Sequence, residues 1–347
     1  MVHVNISQGS FNQLIGGLLA LAEFKLITSR ASLTGGASWL DMLVLCPGIH
    51  LQQQAADLAN GGELPATAAM TTGYVFRTEN QAIVGYLQRA GRPGCLSTIM
   101  VSEAKHGGQN PFAVMQTTGV LSGLCYFLAM LLTVGTIVVM GAVFREWWTL
   151  GMLLLLVLAR ALNTFIFRQR STLGWKGQPE PGVQGDLLIL LSQDRWIRMQ
   201  GLVDDIKAVT SGQWLYDLTP LQSVISAVAT LLVFMTAAVS PFASVFGNII
   251  VIGLLLVESV LLGLSNYLAD GMLMYGKVLK VQGEPKQYAR RLALADDLIS
   301  QTGRDDWAVG LGMIKPENAK GVTKKDGKSP EKDEPTELEK KGKKVFL

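Results

Sequence analysis

Residues 117–144 read TTGVLSGLCYFLAMLLTVGTIVVMGAVF, and after only Arg145 and Glu146 residues 147–167 read WWTLGMLLLLVLARALNTFIF. The first run carries no charged residue and the second carries one, Arg160. A helix of about 20 mostly apolar residues crosses a hydrocarbon core of about 30 Å, so each run is long enough to span a membrane. Residues 220–239 (PLQSVISAVATLLVFMTAAV) and 243–268 (ASVFGNIIVIGLLLVESVLLGLSNYL) repeat the pattern, with Glu258 the single charge in the second. Only Ser240, Pro241 and Phe242 separate them. Connections this short suit helical hairpins, so the four runs read as two tight antiparallel pairs. Trp147 and Trp148 stand where indoles mark the headgroup level.

The whole composition agrees with this reading. Of 347 residues 49% are hydrophobic and only 16% charged, against about 25% charged in a soluble domain. The net charge of +3 is too near neutral, and too evenly spread outside the C-terminal tail, to suggest nucleic acid as a partner. Cys46, Cys95 and Cys125 are far apart, and His3, His50 and His106 are isolated, so neither a disulfide framework nor a metal site is expected. No cofactor is expected either. Gly310-Leu-Gly312 lacks the third glycine of a dinucleotide fingerprint, and Gly321 to Ser329 has one residue too many between its glycines for a P-loop. The opening MVHVNISQGS lacks the basic-then-apolar pattern of a cleaved signal peptide.

Basic residues set the expected orientation. Of the 30 Lys and Arg, 28 lie in residues 1–116, 168–219 and 270–347. Positively charged flanks stay cytosolic, which predicts a multi-pass protein with both termini and the middle loop in the cytosol, in an endomembrane or the plasma membrane. Phe11–Ile27 is apolar over 17 positions but holds Glu23 and Lys25, which suits an interfacial helix better than a crossing.

The organisation expected is therefore a cytosolic region 1–116, hairpins at 117–167 and 220–268, a middle loop 168–219, an amphipathic region 269–314 and a disordered charged tail 315–347. The fold class expected is an all-α polytopic membrane protein with a small cytosolic α or α/β region. Two apolar runs, Asp41 to Leu45 and Asp186 to Leu190, suit short buried strands, though their leucines also permit helix. Thr78 and Gln81 have capping-box spacing ahead of a helix. Leu202, Ile206 and Val209 form one helix face, with Trp196 and Trp214 expected beneath it. Tyr288, Leu292, Ala295 and Ile299 form another. Lys340, Lys341, Lys343 and Lys344 in the tail suit anionic lipid headgroups.

Chemistry is concentrated inside the apolar runs. Charges at membrane depth face the bundle interior and find partners there. Arg160 shares a helical face with Asn163 and Thr164, and Glu258 shares one with Ser265 and Asn266. The two stripes predict an Arg160/Glu258 pair, read first as an ion pair that registers the hairpins and second as a substrate or proton site. The leading function expected is a non-catalytic scaffold, adaptor or accessory subunit binding an unidentified protein on the cytosolic side. The alternatives are a small transporter or channel-like oligomer using that pair, and a membrane enzyme acting on a lipid or isoprenoid with Glu258 as acid or base. Gly119 and Gly123 have the spacing that lets helices approach closely, as in a homo-oligomer.

Overall fold

Four long apolar helices and a seven-stranded sheet build the molecule, described over residues 25–104 and 118–318 in a computed structural model. The helices are α1 (Leu26–Leu33), α2 (Gln52–Asn60), α3 (Gln81–Ala90), α4 (Val120–Val138), α5 (Trp147–Arg170), α6 (Val203–Thr210), α7 (Pro220–Val239), α8 (Val245–Tyr267), α9 (Arg291–Thr302) and α10 (Asp306–Gly310). The strands are β1 (Ala66–Ala69), β2 (Val75–Arg77), β3 (Cys95–Glu103), β4 (Gln184–Leu191), β5 (Arg195–Leu202), β6 (Gly271–Met274) and β7 (Lys277–Gln287). Helix α4 continues through one wide turn, Val139–Val143. The stretches Val120–Val143, Trp147–Arg170, Pro220–Phe242 and Val245–Tyr267 are each long and apolar enough to cross a membrane, as the four runs predict.

The sheet overturns the all-α expectation. Its order is β2-β1-β4-β5-β3-β7-β6, antiparallel throughout except between β3 and β5. Strand alternation divides the inward residues. Leu187, Ile189, Ile197 and Met199 pack with Ile83 and Leu87 of α3 and with Ile206 and Val209 of α6. Leu188 and Trp196 face the other way, against Leu294 and Leu298 of α9 and Trp307 of α10. Burial on both faces removes the polar alternation that reveals a strand in sequence.

Several local expectations shift with it. Asp186 to Leu190 is strand, as expected, whereas Asp41 to Leu45 lies largely in a short 3-10 turn, Trp39–Leu43, outside the sheet. Asn80, not Thr78, caps α3 by accepting from the Ile83 amide at 3.3 Å. The Thr78 hydroxyl instead meets Thr67 Oγ1 at 2.8 Å. Trp214 packs under α6 as expected, but Trp196 lies on the opposite face of the sheet. Helix α9 buries Leu294, Ala295 and Leu298, a face rotated from the one expected, and leaves Leu292 exposed.

Long-range packing also replaces the two self-contained hairpins. Their turns meet through Phe144 against Phe246 at 5.1 Å and Trp148 against Phe242 at 5.3 Å. Along their lengths, however, α4 packs chiefly on α8 and α5 on α7, so each close pair joins helices from different hairpins. The strands come from before α4, from between α5 and α7, and from after α8, and one sheet gathers all three stretches at one end of the bundle. Most of Phe11–Ile27, the motif at Gly321 and the basic end of the tail lie outside the described residues.

Candidate buried polar site

Residues 38–51 run from the sheet end in among the four apolar helices. Ser38 and Asp41 form a capping box at the Trp39–Leu43 turn, with the Ser38 amide donating to Asp41 Oδ2 at 2.7 Å. The chain then passes through extended Val44, turns at Gly48 with φ +89°, and forms a second short turn, Ile49–Leu51, before α2. Val44, Leu45, Cys46 and Ile49 are buried in the same core as Met152 and Leu156 of α5, Val233 of α7 and Leu255 of α8. Irregular backbone buried among apolar helices is stable only when the protein itself satisfies its donors and acceptors.

The polar residues of the helices meet that need. Glu258, fully buried on α8, accepts from the Leu45 amide and from the Thr133 hydroxyl of α4. Arg160 on α5 donates through Nε to the Asp41 carbonyl at 3.1 Å and through Nη1 to Gln52 Oε1. One turn further on, Asn163 Nδ2 donates to the Ile49 carbonyl at 3.2 Å. From α7, the Thr230 hydroxyl donates to the His50 carbonyl at 3.2 Å.

All six residues singled out in the sequence are buried, yet they do not form one cluster. Arg160 and Glu258 are not ion partners. They grip the inserted segment at different points, so the expected direct pair is replaced by two independent anchorages on one stretch of backbone. Ser265 belongs to a third group nearer the sheet, where Arg30 Nη1 of α1 donates to the hydroxyls of Ser122 at 3.3 Å and Ser265 at 3.2 Å. Beside it Asn266 Nδ2 donates to the Leu26 carbonyl at 2.9 Å. Thr164 is buried with no hydrogen-bond partner for its hydroxyl.

Sequence reasoning passed over Asp41, Tyr126, Thr133, Gln52 and Arg30. Tyr126 donates to the Asp41 carboxylate, and the Arg30 guanidinium lies over the Tyr126 ring at 4.7 Å. Arg30, Tyr126, Asp41 and Arg160 thus make a continuous polar chain, in which Tyr126 bonds the Asp41 carboxylate and Arg160 the Asp41 backbone carbonyl. Uncompensated charges in such a place would be expensive. A signal was present in the sequence: across residues 31–56 Asp41 is the only charged residue.

Arginines also fasten the sheet end to the helices. Arg89 of α3 donates to the carbonyls of Asn266 at 2.7 Å, Tyr267 at 2.8 Å and Ala269 at 3.1 Å, which satisfies the end of α8. Arg170 ends α5 with bonds to the Tyr216 carbonyl at 2.6 Å, to Gln53 at 3.0 Å and to Asp57. Trp39 stacks on Phe165 with centroids 6.4 Å apart, and Arg168 lies over the same indole at 5.4 Å. Trp147, 68% exposed, marks the opposite end of α5. The two aromatic levels are about 27 Å apart at 1.5 Å per helical residue, close to the thickness of a hydrocarbon core.

Among the described residues no group of three or more His, Cys, Asp or Glu side chains is placed to hold a metal ion. No family model, curated protein or solved structure matches the chain.

Proposed function

We propose that the chain is a multi-pass membrane protein of scaffold or adaptor type, whose four apolar helices hold a sheet domain in fixed register at one membrane face. The observation that carries this reading is the use made of the intramembrane polar groups. Glu258, Arg160, Asn163 and Thr230, on three different helices, each bond to backbone or side chains of residues 41–52, and that segment continues directly through α2 into the sheet. Such bonding spends the charges on joining domain to bundle. The outer faces of the helices support membrane insertion, since Leu124, Phe127 and Leu131 of α4 and Leu221, Val224 and Leu231 of α7 are all exposed. The distribution of Lys and Arg supports a cytosolic location for the sheet, where a protein partner would dock.

The test reconstitutes the full chain and its Glu258→Gln variant in liposomes and follows proton and solute flux alongside thermal unfolding. The scaffold reading expects no flux that depends on Glu258. A flux abolished by the substitution in a folded protein overturns it in favour of transport.

A further inference from the structure

Four large apolar side chains outside the apolar helices stand exposed around the end of α5: Leu58 (65%), Leu173 (44%), Trp175 (82%) and Tyr216 (44%). The fold brings them to one level. Arg170, the last residue of α5, bonds to Asp57 beside Leu58 and to the backbone of Tyr216, and the Tyr216 amide returns a bond to the Arg170 carbonyl at 3.1 Å. The Tyr216 hydroxyl lies against Gly174, so close that a Cβ on that glycine would displace it, which brings Tyr216 up to the loop that carries Leu173 and Trp175. Tyr216 stands four residues before Pro220, the start of α7, whose first turn exposes Leu221. The four residues therefore stand beside the end of α5 and the start of α7.

We propose that Leu58, Leu173, Trp175 and Tyr216 form an interfacial ledge that rests in the phospholipid headgroup layer and lays the sheet domain on the bilayer beside α5 and α7. The proposal rests on the membrane reading above and adds to it a defined lipid-binding surface. Tyr and Trp suit this layer because each joins an apolar ring to a polar tip, and the adjacent exposed Lys176 is placed to meet lipid phosphate. A helix pair alone would give no reason for an indole this exposed on a short loop rich in glycine. The same level is marked on another side of α5 by Trp39, with Arg168 across its ring.

The experiment uses the full chain with Cys46, Cys95 and Cys125 replaced by Ala, carrying a fluorophore on one introduced cysteine, in phosphatidylcholine nanodiscs with nitroxide lipids. Trp175→Cys is expected to be quenched several-fold more by a headgroup nitroxide than by one deep in the acyl chains. Leu131→Cys, in the middle of α4, is expected to show the opposite order. Acyl-chain quenching at 131 with no headgroup quenching at 175 would overturn the ledge and leave the membrane reading standing. Absence of quenching at 131 would overturn the membrane reading, and the ledge with it.

Discussion

Glu258 is a fully buried carboxylate whose two partners, the Leu45 amide and the Thr133 hydroxyl, come from elements far apart in sequence. Glu258→Ala leaves both donors without an acceptor and is expected to cost about 3 kcal/mol in unfolding free energy, since a buried unsatisfied donor loses its full solvation. Glu258→Gln keeps one acceptor oxygen for Leu45 and is expected to cost less, a difference measurable by chemical unfolding in detergent micelles. The absence of an Arg160–Glu258 pair has its own consequence. Partners in a buried ion pair relieve each other when both are removed, whereas here the double variant Arg160→Met, Glu258→Gln is expected to be less stable than either single variant. A double variant more stable than both would show that the charges are paired after all. In the sheet, a Cβ at Gly201 would stand 2.6 Å from the Val101 carbonyl oxygen, backbone of the neighbouring parallel strand. Gly201→Ala therefore has to push β5 from β3, and a loss of about 1–3 kcal/mol is expected in the same measurement.

Elements join through a few polar ties. Arg89 holds the last carbonyls of α8 from α3, so Arg89→Ala is expected to cost about 1–2 kcal/mol and to speed amide hydrogen exchange in α3 as the contact loosens. Helix α9 is tied to β7 by the Asp297 carboxylate, which accepts from Lys286 Nζ at 2.7 Å and from the Tyr288 hydroxyl. These bonds draw the Asp297 carboxyl down from its ordinary value of 3.8 to about 2. A lowered value means that the tie is complete above about pH 4. It is then lost as the pH falls towards 2. Amide protection in α9, taken relative to the intrinsic exchange rate at each pH, should fall across that window in the native chain and change less in Asp297→Asn. Element type was unevenly legible. The apolar helices announced themselves by length and lack of charge. Strand β7, reading KVLKVQGEPKQ, carries glycine, proline and charge and pairs only because β3 and β6 flank it. The segment 41–45 suits a strand by its short apolar run and a helix by its leucines, and it is neither in full, because helix side chains rather than another strand bond its backbone.

At the scale of the whole molecule, the sheet draws strands from three stretches separated by apolar helices, so no one stretch holds a foldable unit. A peptide of residues 171–219, which contains β4, β5 and α6 without β1 or β3, is expected to lack stable structure by circular dichroism, as isolated hairpins do in water. In the proposed membrane arrangement the same interleaving puts all three stretches on one side. Single cysteines introduced at the exposed positions Arg92, Glu180 and Ser300 should react together with an impermeant maleimide, and one at Arg145 should react only from the opposite face. The length and the missing charge of the four runs are local properties, and for that reason the sequence by itself determined the number of apolar helices and the isolation of Arg160 and Glu258 within them, while the ends moved by up to three residues. Which helices pack together, how a seven-stranded sheet is assembled across them, and what those two charges hold depend on contacts between residues far apart in the sequence, 108 to 213 positions for the bonds to Arg160 and Glu258. No periodicity encodes such contacts. Only the tertiary structure shows residues 38–51 lying between the helices, and with them the reason the buried polar groups are there.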